Sequence, residues 1–123
     1  MESVGKIYGN EETAGLFGDV KIKFETTVNE LKSLLQQADK YLMFRFYGDQ
    51  CYILKEKRIM LSGEKDKIND DDVFNIYSKD KIDEILSYGK EGTVYIEQRP
   101  EYLTITCGDK TLEKSWPCPP YCD

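Results

Sequence analysis

The chain has no histidine among its 123 residues, and this absence excludes several common catalytic designs. Hydrolases that pair a histidine base with a serine or cysteine nucleophile, zinc sites with histidine ligands and imidazole acid–base catalysis all need a residue that is missing here. The chemistry that remains available is that of carboxylates, thiols, lysines and tyrosines.

Long apolar runs are also missing. No stretch approaches the roughly 20 apolar residues that a membrane-spanning helix needs. The first residues, Met1-Glu2-Ser3-Val4-Gly5-Lys6, show no basic segment followed by an apolar one, so they do not resemble a secretory signal. We therefore expect a cytoplasmic protein without a membrane partner, in which the four cysteines are free thiols by default.

Basic residues are too few and too scattered to form a basic face. The chain has 17 lysines and arginines against 23 acidic residues, for a net charge of −6, and its one basic group in sequence is Lys55, Lys57 and Arg58. Because nucleic-acid binding depends on cations that displace counterions from phosphates, we expect no nucleic-acid partner. An acidic surface keeps a domain soluble, and it also attracts basic protein surfaces.

The length predicts a single globular domain over residues 1–123, because such a chain supports one hydrophobic core but not two. We expect residues 1–17 to be a loosely ordered N-terminal segment, since they are polar and interrupted by glycines, with Val4–Tyr8 as a candidate short edge strand. We expect residues 115–123, S-W-P-C-P-P-Y-C-D, to be a tail whose tryptophan, prolines and cysteines pack on the sheet.

Two helices are predicted from apolar spacing and capping residues. Thr27 and Glu30 fit the capping box, in which each side chain accepts a hydrogen bond from the other residue's backbone amide. The apolar residues that follow recur at helical spacing and predict a helix to about Lys40. A second, shorter helix is predicted between Ser78 as its N-cap and Gly89 beyond its C-terminus.

Apolar alternation and continuous apolar runs predict strands in the rest of the chain. Tyr41–Tyr47 is apolar at nearly every position, which is typical of a central strand covered on both faces. The fold class is therefore α+β, with a mainly antiparallel sheet of about six to eight strands and two helices packed on one face. The predicted strands are 20–24, 41–47, 51–54, 59–61, 73–77, 93–98, 102–107 and 111–116.

The cysteines leave several interpretations open. Cys118 and Cys122 are one residue too far apart for a thioredoxin-type redox motif, and no helix follows them. Cys107, Cys118 and Cys122 offer three thiolates for a metal, although at irregular spacing. A disulfide from the tail to Cys51 or Cys107 needs an oxidising compartment. The interpretation we favour is that buried free thiols fill gaps in the packing and that no cofactor is bound.

The segment 64–72, E-K-D-K-I-N-D-D-D, is a charged loop that lacks the alternating ligands and central glycine of an EF-hand. Beside tyrosine-rich strands, such a loop is typical of a surface that contacts a basic protein.

The functional hypothesis is a non-enzymatic, acidic protein-binding module, of the inhibitor or immunity type, that acts on a basic partner which processes nucleic acid. The alternative is a thiol protein that uses Cys107, Cys118 and Cys122 for metal binding or redox chemistry. The predicted contact residues are Glu64, Asp66, Asp70, Asp71, Asp72 and Tyr77.

Overall fold

The structure, a computed structural model, describes residues 3–90 and 92–118. Within these residues the fold is α+β, as predicted, but it has two antiparallel sheets of five strands each and three helices, not one sheet and two helices. The helices are α1 (Asn10–Phe17), α2 (Val28–Gln36) and α3 (Lys79–Leu86). The strands are β1 (Lys6–Gly9), β2 (Ile22–Thr27), β3 (Tyr41–Tyr47), β4 (Gln50–Lys55), β5 (Ile59–Ser62), β6 (Phe74–Ser78), β7 (Thr93–Gln98), β8 (Leu103–Cys107), β9 (Lys110–Glu113) and β10 (Trp116–Cys118).

Short connections join the strands in two of the four pairings of each sheet. Sheet A has the order β1-β9-β8-β7-β2, and sheet B has the order β10-β6-β3-β4-β5. The strands predicted at 41–47, 51–54 and 59–61 are confirmed and form the antiparallel meander β3-β4-β5, with Gly48 at a positive φ of 64° in its first turn. The strands predicted at 93–98 and 102–107 are confirmed as the hairpin β7-β8.

The single-sheet prediction was wrong because, within the described residues, the chain changes sheets three times: between β2 and β3 through α2, between β6 and β7 through α3, and after β9. Lys114 adopts a φ of 69°, which turns the backbone between β9 in sheet A and β10 in sheet B. Near the other end of the chain, the Ser78 amide donates to the Val4 carbonyl at 3.2 Å, so the segment before β1 also reaches sheet B. Two predicted features of the tail, Trp116 and Cys118, therefore lie in an edge strand that pairs with β6, while residues 119–123 lie outside the described residues.

The main core is formed by the inner faces of both sheets together with α2 and α3. Side chains from β3, β4, β6, β7, β8 and β9 pack with the buried stripes of the two helices, as residues at alternate strand positions and helical spacing should. Burial of this apolar surface is the dominant stabilising term of the fold. The largest members are Leu31, Leu35, Leu42, Phe44, Ile53, Tyr77, Ile82, Ile85, Leu86, Ile96, Leu103, Ile105 and Leu112.

The opposite face of sheet B is apolar too. Tyr41, Met43, Tyr52, Leu54 and Phe74 are buried there, as the sequence of β3 predicts for a strand covered on both faces. Sheet A, α2 and α3 cover the first face of sheet B, so other parts of the chain have to cover this second face.

The capping box of α2 forms only in part. The Glu30 amide donates to Thr27 Oγ1 at 3.0 Å, as predicted. The Glu30 carboxylate does not return to the Thr27 amide; it accepts a hydrogen bond from Thr26 Oγ1 at 2.8 Å. The helix ends at Gln36, short of the predicted Lys40. None of the described helices is long and apolar enough to cross a membrane.

The N-terminal segment differs most from its prediction. The candidate edge strand at Val4–Tyr8 overlaps β1, which is an edge strand of sheet A, but residues 10–17 form α1, where we expected a loosely ordered segment. Only Thr13 and Phe17 of α1 are buried, and Phe17 packs edge-on against the rings of Tyr8 and Tyr102 at centroid distances of 5.3 and 5.1 Å. Two buried positions, one on either side of Gly15, give this segment almost no apolar periodicity. The helix therefore depends on tertiary contacts, which a local sequence pattern does not reveal.

A buried hydroxyl joins the two sheets and yields a first prediction. Tyr77 Oη of β6 lies 2.5 Å from the Leu103 carbonyl oxygen and 3.3 Å from that of Leu112, both in sheet A. We expect Tyr77→Phe to lower the free energy of unfolding by about 1–2 kcal/mol, because the buried carbonyls lose this donor. Urea denaturation measures the change.

Tyr95→Phe is the matched control, since no hydrogen bond is found for its hydroxyl among the described residues. It should change the stability by less than about 0.5 kcal/mol. Equal effects of the two substitutions would contradict a role for Tyr77 in joining the sheets.

Candidate functional site

The acidic loop between β5 and β6 lies on the second apolar face of sheet B. Ile68 packs among the buried side chains of that face. Gly63, at a φ of 133°, sits so close to Tyr52 that an added methyl group would lie 2.6 Å from its ring. Apolar contacts therefore fix the first half of the loop. The loop takes this path because the apolar face has to be covered.

Two arginines, Arg45 in β3 and Arg58 in the turn between β4 and β5, hold the second half of the loop. Arg58 donates to the Asn69 carbonyl at 3.2 Å and to the Asp72 carbonyl at 2.5 Å, and its guanidinium lies 5.0 Å from the Phe74 ring centroid. Arg45 donates to the Val73 carbonyl at 2.9 Å. These bonds satisfy backbone carbonyls that regular structure would otherwise pair.

Asp72 is a structural residue and not a free surface charge. Its Oδ2 accepts from Tyr47 Oη at 2.5 Å and from the Asn69 amide at 3.0 Å. The Tyr47 hydrogen bond, the Asn69 amide and the nearby Arg45 and Arg58 lower the pKa of the Asp72 carboxyl below its ordinary value. Burial, with the hydrogen bond to Asp72, raises the pKa of Tyr47 to about 12. The hydrogen bond between the neutral Tyr47 hydroxyl and the ionised Asp72 carboxylate thus anchors the loop.

The other four predicted acidic residues point to solvent. Glu64 and Asp66 are exposed, and Glu64 forms an exposed ion pair with Lys67 at 3.3 Å. Asp70 and Asp71 are exposed at the tip of the loop, and neither forms a salt bridge within residues 3–90 and 92–118. The structure therefore separates the predicted set into an anchor, Asp72, and an exposed acidic surface.

Tyr77 does not belong to this surface. Its side chain is fully buried between the sheets, and burial raises the pKa of its hydroxyl well above the ordinary value. A partner cannot contact it, so the predicted contact role of Tyr77 was wrong. Its position immediately after the acidic loop in sequence, four residues from Val73, gave no indication of which face it occupies.

The cysteines do not gather into a thiol site. Cys51 and Cys107 are buried free thiols, and burial raises the pKa of both, which opposes formation of a reactive thiolate. Cys118 takes part in a disulfide, so the expectation that all four thiols are free was wrong, and Cys122 lies outside the described residues. A bridge from the tail to Cys51 or Cys107 is excluded because both are free. Among the described residues, no group of three potential ligands is arranged to hold a metal.

A buried polar network occupies the outer face of sheet A, beneath α1. Glu97 Oε1 accepts hydrogen bonds from Thr104 Oγ1 at 3.1 Å and Thr106 Oγ1 at 2.6 Å, and it pairs with Arg99 Nη2 at 3.4 Å. Both charged side chains are 7% exposed. A buried ion pair of this kind is tolerated because each partner has further hydrogen bonds.

The network also fastens α1 to the sheet. Arg99 donates through Nη1 to the Gly18 carbonyl at the end of α1. At the start of α1, the Thr111 hydroxyl donates to Asn10 Oδ1 at 2.7 Å, and Thr111 Oγ1 also lies 3.0 Å from Thr106 Oγ1. Hydrogen bonds thus tie the end of α1 to Arg99, which pairs with Glu97, and the start of α1 to Thr111 of β9.

Glu113 lies on the same outer face and lacks such support. Its side chain is fully buried, its Oε1 accepts from the Lys114 amide at 2.6 Å, and its Oε2 has no hydrogen-bond partner among the described residues. Burial raises the pKa of the Glu113 carboxyl to about 7, although the Lys114 amide and the charges of Arg99 and Lys114 favour ionisation.

The sequence analysis missed Glu97 and Glu113 because both alternate with apolar residues, as solvent-facing positions of a strand do. Their burial follows from α1, which was not predicted. For the loop anchors, a signal was present: Arg45 interrupts the otherwise apolar strand β3, and a charge in such a strand indicates a specific partner.

Glu113 generates a prediction about stability and pH. The folded-state pKa of about 7 lies above the ordinary 4.5, so the folded protein binds more protons than the unfolded chain between these values. The free energy of unfolding should therefore fall as pH rises from about 5 to 7, by up to about 3 kcal/mol, and then level off. Glu113→Gln should remove this slope in urea denaturation at a series of pH values.

Glu101→Gln is the control, because Glu101 is exposed in the β7-β8 turn. It should keep the slope of the unmodified protein. A slope that persists in Glu113→Gln would mean that another group is responsible.

Comparisons with protein-family models, curated proteins and solved structures give no significant match, so the site is interpreted from its own geometry.

Proposed function

We propose that this chain is a non-enzymatic protein-binding module whose acidic loop contacts a basic surface of its partner. The single observation that carries the proposal is the arrangement of the loop tip, where Asp70 and Asp71 are exposed while Asp72 beside them is tied to the sheet. The loop therefore presents free carboxylates from a fixed backbone.

Fixed geometry supports binding because it lowers the ordering cost of association. A flexible acidic loop loses conformational entropy when it docks, whereas this one is already held by Ile68, Asp72 and the two arginines Arg45 and Arg58. The same contacts place the carboxylates on one side of sheet B.

The charge distribution supports a basic partner. Arg45 and Arg58 direct their guanidinium groups to loop carbonyls, and Arg45 also lies 3.9 Å from Asp72, so both arginines are engaged within the fold and the carboxylates of Asp70 and Asp71 remain exposed. With a net charge of −6, the molecule attracts cationic surfaces over a Debye length of about 8 Å at physiological ionic strength.

The proposed partner handles nucleic acid, and its surface is basic for that reason. A small acidic protein bound to this cationic surface would act as an inhibitor or immunity-type protein. Blocking a nucleic-acid enzyme requires only that the acidic protein cover the cations that bind phosphate. The thiol alternative has no comparable support, since Cys51 and Cys107 are buried and Cys118 is in a disulfide.

The test compares two double variants with equal changes in charge. Asp70→Asn with Asp71→Asn should weaken binding to the captured partner by at least about tenfold and reduce the salt dependence of the affinity, because two interfacial charges are removed. The partner is obtained by affinity capture from lysate of the source cell and mass spectrometry, and is then purified for the measurement.

Asp19→Asn with Glu101→Gln removes two exposed carboxylates at sheet A and should leave the affinity within about twofold. Equal affinities for both double variants, or a loss confined to the sheet A variant, would refute the loop as the contact surface. A captured partner with an acidic surface would refute the proposed charge complementarity.

A further inference from the structure

A separate cavity lies at one end of sheet A, far in sequence from the acidic loop. Its volume is about 620 Å³, within the range of roughly 300–1,000 Å³ typical of small-molecule sites. Residues 88–90, which follow α3, form one wall with the start of β7, and the turn between β8 and β9 forms the other. The side chains that line it are Tyr88, Lys90, Thr93, Tyr95, Asp109 and Lys110.

The first wall is fixed by close packing and backbone hydrogen bonds. A methyl group at Gly89 would lie 2.5 Å from Cys107 Sγ and 2.7 Å from Val28 Cγ2, so only glycine allows this segment to lie against the core. The Gly92 amide donates to the Gly89 carbonyl at 3.1 Å, and the Gly92 carbonyl accepts from the Val28 amide at 2.8 Å.

The second wall is held by the start of α1. The Asn10 side chain donates through Nδ2 to the Gly108 carbonyl at 3.1 Å. The backbone amide of Asn10 donates to the Asp109 carbonyl at 3.1 Å. Gly108 has a φ of 63°, and a methyl group there would collide with the Tyr88 carbonyl oxygen, so the two walls touch at the floor of the cavity. The cavity is thus preformed, which reduces the cost of binding.

Donors exceed acceptors among the lining side chains. The half-buried hydroxyls of Tyr88, Thr93 and Tyr95 and the ammonium groups of Lys90 and Lys110 have no hydrogen-bond or ion-pair partner within the described residues. Among the residues that the structure describes, Asp109 supplies the one carboxylate of the lining. A ligand that fits this set is rich in acceptors and negatively charged.

The charges around this cavity favour binding of an anion here and not in the cavity beside it. Lys23 Nζ lies 4.2 Å from the Tyr95 ring centroid, which adds a third cation near the opening. An adjoining cavity of about 390 Å³ shares Tyr88 and Lys110 but also carries Glu12 and Glu84, whose carboxylates repel anions.

We propose that this cavity binds a small phosphate monoester carried on a ring, as in a sugar phosphate or a nucleoside monophosphate. Lys90 and Lys110 hold the phosphate, and the rings of Tyr88 and Tyr95 supply flat contact surfaces for the ring of the ligand. The proposal is independent of the acidic loop, which lies on sheet B.

The test measures binding of four probes by calorimetry at constant ionic strength: adenosine monophosphate, ribose 5-phosphate, adenosine and inorganic phosphate. The two ring phosphates should bind with Kd below about 1 mM and more tightly than either adenosine or inorganic phosphate. Lys90→Gln with Lys110→Gln should weaken both ring phosphates by at least about tenfold, because two charge-assisted contacts are lost.

Lys21→Gln with Lys32→Gln is the control for charge, since both lysines are exposed outside the cavity, and it should change the Kd by less than about twofold. Amide chemical shifts of the unmodified protein give a readout without substitution and should move at residues 88–95 and 108–110. The proposal is overturned if no phosphate binds, if both lysine variants bind equally well, or if adenosine or inorganic phosphate binds as tightly as the ring phosphates.

Discussion

Sheet B is apolar on both faces, and the rest of the structure depends on that constraint. An apolar sheet face exposed to water is costly, so each face must be covered by another layer. Sheet A, α2 and α3 cover one face, and the loop between β5 and β6 covers part of the other. The acidic loop is therefore held by apolar contacts with this face and by the Asp72 carboxylate, and Asp70 and Asp71 remain exposed.

The sequence contains this constraint but only part of its consequences. The strand β3 was predicted with its correct bounds, because a run such as Tyr41–Tyr47 leaves no polar face. The helix α1 was not predicted, because its burial depends on Tyr8, Tyr102 and Arg99, which come together only in the folded chain. The division into two sheets arises where α2, α3 and the turn at Lys114 carry the chain from one sheet to the other, and no glycine marks the turn at Lys114.

The candidate site, like the fold, could be predicted from the sequence only in part. A cluster of acidic residues was evident in the sequence, but nothing local distinguishes Asp72, which is an anchor, from Asp70 and Asp71, which are free. The distinction arises from Tyr47 and Arg58, which lie more than ten residues away in the chain. Burial of Glu97 and Glu113 likewise follows from the missed helix. Local patterns thus predict which groups are present, and tertiary contacts decide which are available.

Amide hydrogen exchange across the loop tests the central claim most directly. The amides of Lys67, Ile68, Asn69 and Asp72 each donate to an acceptor within the loop at 3.0–3.2 Å. If the core holds the loop, these amides should exchange at least about tenfold more slowly than in an unstructured peptide of the same sequence. Exchange at the unstructured rate, with β3 and β6 still protected, would contradict the account.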